Sequence, residues 1–212
     1  MSKALAVLKS DVITGRDKGR DLVFIKDRDL LFTFDTYLLD RATCETDERY
    51  LQLIPYVTLI DDDTNEILIY QRGSSSGESR LIKNYSIGFG GHIEVKPAIN
   101  IDLVNVIVRE ASREIIEETG YADEMYLIQA IHDVMINGDF DVFYHPVTEV
   151  NKYHLCINFS IRVNKHLIVE AEKDIINKSE WLSKNTIENL VNIEHITLET
   201  WSQIALDLVT FS

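Results

Sequence analysis

Acidic side chains at helical spacing are the residues in this chain best suited to do chemistry. In the stretch REIIEETG, residues 113–120, Glu114, Glu117 and Glu118 follow Glu110 by one to two helical turns. At about 100° per residue, these four carboxylates fall within an arc of roughly 100°. Each like-charged i,i+4 pair costs an isolated helix about 0.2–0.5 kcal/mol, and partial burial adds to that cost while lifting carboxylate pKa values. A hard divalent cation such as Mg²⁺ offsets the repulsion, because it takes a few carboxylates and otherwise keeps water or phosphate oxygens. The plainer reading is a solvated helix face on which Arg113 pairs with Glu117 at i,i+4. Context favours the metal: a strand, then Gly-Phe-Gly-Gly at residues 88–91, then the helix that carries the carboxylates.

Hydrophobic periodicity supplies the elements that must position these groups. LQLIPYVTLI (51–60) and ILIYQR (67–72) predict two strands joined by a turn in DDDTNE, and SSSGES (74–79) predicts a surface loop. Gly88, Gly90 and Gly91 mark a backbone that needs positive φ or close approach to something. A helix is predicted from about Asp102 to Thr119, with Val104, Ile107, Val108, Ala111 and Ile115 as its buried stripe and Gly120 as its left-handed stop. MYLIQAIHDVMI (125–136) predicts a strand, and DVFYHPVTEV (141–150) a loop or irregular strand. YHLCINFSIRV (153–163) alternates, placing Tyr153, Leu155, Ile157, Phe159, Ile161 and Val163 on one face. EWLSKNTIENLV (180–191) and LETWSQIALDL (198–208) read as two amphipathic helices, the first capped by Ser183 or Asn185. Residues 1–50 form an N-terminal extension of mixed structure, and 51–212 the main domain.

Bulk composition narrows the function further. A chain of 212 residues, 45% hydrophobic and 26% charged, suits one domain with a substantial core, or one domain plus an appendage. Its formal net charge of −14 disfavours DNA or RNA as a partner, and an anionic ligand would need a metal's help. Cys44 and Cys156 are too few for a disulfide framework or a cysteine-based zinc site. No apolar run of about 18 residues suggests a membrane span, and the start lacks the core of a secretion signal, so a cytoplasmic protein is expected. The six histidines are scattered without metal-ligand spacing, which argues against histidine ligation.

Arg113, Glu114, Ile115, Glu117, Glu118 and Gly120 resemble the second half of the Nudix hydrolase box, Arg-Glu-U-x-Glu-Glu-x-Gly-U with U a bulky aliphatic residue, and Tyr121 is a softer match at its last place. The resemblance spans about residues 52–205, its specific motif residues 90–121. It implies an α/β/α sandwich around a mixed sheet and hydrolysis of a nucleoside diphosphate linked to another moiety. Glu114, Glu117 and Glu118 would then bind Mg²⁺ (or Mn²⁺) with the Gly91 carbonyl, and Arg113 would belong to the catalytic set. Arg72 and the backbone of Gly90 and Gly91 are the candidate substrate contacts, with Lys83 a weaker one. The substrate would be a small nucleotide derivative, and a homodimer is a reasonable expectation.

The first half of the box departs from the family. Its glutamate would fall on Pro97 counted from Gly91, or on Asn105 counted from Arg113, and the family's 14-residue spacing from glycine to arginine is 22 here (113 minus 91). Glu94 is the candidate to hold the arginine and Glu110 the candidate extra metal ligand. The general base is Glu114 or a later residue, with Glu170 or Glu172 the acidic candidates. The displaced half-box leaves open a nucleotide-sensing module without turnover. A prenyl diphosphate isomerase is disfavoured, because neither cysteine has the local context that chemistry needs.

Overall fold

Leu51 to Ile60 carries no charged side chain, and a computed structural model shows what that permits: every residue from Leu51 to Asp61 is buried. The structure describes residues 3–15, 17, 19–26, 31–73, 84–94, 102–149, 151–168 and 176–211. Along them run β1 (Lys3–Leu8), α1 (Lys9–Val12), β2 (Val23–Ile25), β3 (Thr36–Asp40), α2 (Arg41–Cys44), β4 (Tyr50–Asp61), β5 (Ile67–Arg72), β6 (Tyr85–Ser86), β7 (Gly88–Phe89), α3 (Leu103–Thr119), α4 (Glu124–Asn137), β8 (Asp141–Tyr144), β9 (His154–Val163), β10 (Ile176–Leu182), α5 (Lys184–Asn192) and α6 (Thr200–Leu208). The SSSGES segment, Lys83, Pro97, Glu170 and Glu172 lie outside the described residues.

Two compact units divide the chain. The first comprises Met1–Tyr56, Gly90–Ala111 and His132–Phe159; the second comprises Val57–Phe89, Ser112–Ile131 and Ser160–Ser212. In the first, β1 pairs antiparallel with β3 and with the start of β4, at Ala6↔Gln52, Val7↔Leu51 and Leu8↔Tyr50. Ala4 to Val7 of β1 are buried. β8 joins β2 on one side and β9 on the other, both antiparallel.

In the second unit, β5 pairs antiparallel with β10, β6 and the end of β4, and β4 also takes β7 at Val57↔Phe89. The β4–β5 turn is held by the Asp61 carboxylate, which accepts from the Thr64 amide at 3.1 Å, from the Thr64 hydroxyl at 2.6 Å and from the Lys165 amide at 3.2 Å. β4 and β9 are hydrogen-bonded neighbours, and like ends meet like. Gln52 near the start of β4 faces His154 at the start of β9, and the Asp62 amide past the end of β4 donates to Val163 O at 3.0 Å. Those strands therefore run parallel, and the fold is a mixed α/β one.

The predicted α3 is present. The Asp102 carboxylate accepts from the Asn105 amide at 3.2 Å, an N-cap contact, and Ile107, Val108, Ala111 and Ile115 are buried, with Val104 half-buried. Gly120 ends the helix at φ +65°, a left-handed conformation costly for any residue with a Cβ. Residues 125–136 are a correction: they form α4, not a strand. Leu127, Ile131 and Met135 are buried at i, i+4 and i+8, Met125 and Ile136 are exposed, and the Asp123 carboxylate accepts from the Tyr126 amide at 3.0 Å. The predicted strand is β9, where Leu155, Ile157, Phe159, Ile161 and Val163 are buried, Tyr153 lies half-buried just before it, and His154, Cys156 and Asn158 on the other face are buried too. A strand flanked on both sides by others and covered on both faces loses its polar alternation. Glu180, Trp181 and Leu182 belong to β10, and Ser183 caps α5 by accepting from the Thr186 amide at 3.2 Å.

Candidate active site

The last two turns of α3 set the carboxylates by helical spacing, and burial then sorts them. Glu118 is 8% exposed, Glu114 is half-buried and Glu117 is exposed. Arg113 lies between two of them: Nη2 donates to Glu114 Oε1 at 2.5 Å and Nη1 to Glu117 Oε2 at 2.6 Å. The second is the i,i+4 pair expected of a solvated face. The first is not at that spacing and reaches inward, toward the carboxylate with less access to water.

One turn earlier, the buried Glu110 takes Arg109, whose Nε donates to Glu110 Oε1 at 3.0 Å. Arg109 Nη2 also donates to the main-chain carbonyl of Glu94 at 3.2 Å. The arginine that reaches Glu94 is thus Arg109, while Arg113 is engaged by the helix's own glutamates. From the sequence, Glu94 was paired with Arg113 without weighing Arg109, which stands one turn earlier on the same predicted helix.

At the glycine loop the need is close approach, not positive φ. A Cβ on Gly90 would collide with the Pro55 carbonyl oxygen and stand 3.3 Å from Tyr56 Cα. Two residues on, His92 Nε2 lies 3.1 Å from His154 Nε2, which is 3.3 Å from the Gln52 amide nitrogen. Burial first, then His154 and Arg41, push the His92 pKa down to about 3. Residues 52, 92 and 154 share no local pattern, so this cluster left no signal in the sequence. Arg72, at the end of β5, is ion-paired with the buried Glu199, which leads into α6. Phe89 and Tyr144 are buried as core residues.

The sequence matches no protein-family model. It is 30% identical over 172 residues to Protein YmaB of Bacillus subtilis (strain 168), a match covering 80% of this chain and 76% of that protein. The chain belongs to the YmaB family. Solved structures show the fold of this chain. Tm1382, described as a putative Nudix hydrolase, aligns over 97% of each chain with a TM-score of 0.67 at 20% identity. DR0079 from Deinococcus radiodurans aligns over 97% of this chain and 99% of its own, with a TM-score of 0.50 at 13% identity. This YmaB-family chain has the Nudix hydrolase fold.

The carboxylates suit a hard divalent ion in kind, being oxygen donors on neighbouring turns of one helix. Among the described residues, no three His, Cys, Asp or Glu side chains are gathered in a geometry able to hold a metal. The two facts meet at Glu117. Its side chain is 54% exposed, and an exposed i,i+4 pair is worth only about 0.3–0.5 kcal/mol, so leaving Arg113 costs little. Among the described residues, no helix is long and apolar enough to cross a membrane.

Proposed function

We propose that the chain is a metal-dependent hydrolase that cleaves the diphosphate linkage of a nucleoside diphosphate derivative. The observation that supports this is the half-box on α3: Glu114, Glu117 and Glu118 stand on a Nudix fold at the end of one helix, with Arg113 bound to two of them. The ion, Mg²⁺ or Mn²⁺, would be held by these three carboxylates, and when bound it polarises a phosphoryl oxygen and lowers the pKa of water.

The chain's own residues do the rest. Glu118 is buried, so a cation held there would be less screened by water than one at the exposed Glu117. Arg113 holds Glu114 in one orientation through a short charge-assisted bond. Glu117, the exposed partner of Arg113, is the side chain that turns to complete the set. Glu114 is then placed either to ligate or to take a proton from the attacking water.

A second reading has its own support. Glu114 and Glu117 are occupied by Arg113, and the glycine-to-arginine spacing is 22 instead of 14, which suits a module that binds a nucleotide without cleaving it. One experiment separates the two. Purified protein is incubated with Mg²⁺ or Mn²⁺ and a panel of dinucleotides, nucleotide sugars, ADP-ribose and nucleoside triphosphates, and phosphate-containing products are measured. Turnover that Glu118→Gln abolishes supports the hydrolase. Thermal stabilisation by a panel member with no product from any of them supports the binding module.

A further inference from the structure

In the first unit, three buried or half-buried polar side chains from separate elements converge on one point, and none belongs to the half-box. His154 opens β9, Gln52 lies in β4, and His92 follows the glycine pair. The two imidazoles meet edge to face, with centroids 5.1 Å apart and planes at 67°, and their Nε2 atoms are 3.1 Å apart. Gln52 is fully buried, its amide nitrogen 3.3 Å from His154 Nε2, and its Oε1 has no hydrogen-bond partner among the described residues.

Hydrogen bonds alone do not satisfy this cluster. A neutral imidazole Nε2 offers either one N–H or one lone pair. If His154 Nε2 carries the lone pair, the His92 N–H and the Gln52 N–H compete for it, and Gln52 Oε1 stays buried without a donor, at a cost of about 1–3 kcal/mol. If it carries the proton, His92 Nε2 and an amide turned to present Oε1 compete for a single hydrogen. The amide orientation is free to be either, because its oxygen and nitrogen are nearly equivalent in shape. Each arrangement leaves one group too many.

We propose that His92, His154 and Gln52 form a binding site for a borderline divalent metal ion of the Zn²⁺ or Co²⁺ type, through Nε2 of both histidines and Oε1 of the glutamine. A cation accepts all three lone pairs at once, which removes the mismatch. Two nitrogens each about 2.0–2.1 Å from a tetrahedral ion stand roughly 3.3 Å apart, so the observed 3.1 Å is within a few tenths of an ångström of the ligand spacing. Water completes the coordination on the side of His92, which is half-buried. Arg41 is the nearby cation that opposes binding, and its charge is met by Glu45 at 2.8 Å.

The test is a Co²⁺ titration of the full chain followed by visible absorption, with circular dichroism of each variant to confirm folding. The expected result is a Co²⁺ with nitrogen-ligand bands, distinct from any oxygen-ligated Co²⁺ at the α3 carboxylates. In His92→Ala, a loop substitution that leaves the strands intact, the dissociation constant rises roughly tenfold or more and the bands shift or vanish. His154→Ala gives the same loss. An unchanged dissociation constant and spectrum in folded His92→Ala overturns the proposal, as does a wild-type spectrum showing oxygen ligation only.

Discussion

Arg113 reaches two carboxylates of different exposure, and that difference sets what each can do. The Glu117 contact is open to water and screened by salt, whereas Glu114 has a side-chain exposure of only 16%. Arg113→Ala is therefore expected to lower stability by no more than about 1 kcal/mol, read as a small shift of the urea midpoint, because exposed ion pairs contribute little. The same variant should change the Mn²⁺ dependence of turnover, since it releases both carboxylates. Glu118 has the opposite balance. Glu118→Gln keeps the shape of the side chain and removes its charge, so folding should persist while turnover falls by at least about 100-fold, on the order of 2.7 kcal/mol of barrier. Equal turnover in wild type and Glu118→Gln would remove this residue from the site. The i,i+4 spacing of Arg113 and Glu117 made their pairing legible in the sequence, but nothing local distinguished the buried Glu118 from the exposed Glu117 one residue before it.

The β4–β5 turn and the α5 cap are the elements where side-chain acceptors replace missing backbone partners. Burial alone would raise the pKa of Asp61, yet hydrogen bonds from Thr64 and Lys165 bring it below the ordinary carboxylate value. The unfolded chain thus takes up this proton first as pH falls. The contribution of Asp61 to stability is complete above the unfolded value of about 3.9 and is lost as pH drops through the folded value. Asp61→Ala should cost about 1–3 kcal/mol at pH 7, with the difference from wild type shrinking on acidification below about pH 4, measurable by urea unfolding across pH. Ser183→Ala removes the acceptor for the Thr186 amide and should cost about 1 kcal/mol. Elements with one wet face, such as α3 and α5, were legible because exposure leaves a period in the sequence. Residues 125–136 were not, because Met125 and Ile136 are apolar yet exposed and blur the helical stripe of Leu127, Ile131 and Met135. The 14-residue length of α4, Asp123 before it and Gly138 after it were the signals that could have decided for a helix. In β9 the alternation told the strand correctly; on its other face His154, Cys156 and Asn158 are buried, while Ser160 and Arg162 are half-buried.

At the level of the whole molecule, a net charge of −14 makes an anionic substrate dependent on local positive charge. Binding of a nucleotide in the absence of divalent metal should be weak and should strengthen when Mn²⁺ is added; equal affinity with and without metal would show that the chain binds phosphate by other means. The fold class was legible through the resemblance of Arg113, Glu114, Ile115, Glu117, Glu118 and Gly120 to the Nudix box. The pairing of residues 3–8 with β4 was not, because the partners are over forty residues apart and the opening strand is short. Mn²⁺-soaked crystals, read by anomalous scattering, test the central claim most directly. The expected result is a Mn²⁺ peak bound by the carboxylates of Glu114, Glu117 and Glu118, with Glu117 turned away from Arg113. Mn²⁺ absent from these carboxylates at a concentration that supports turnover would contradict it.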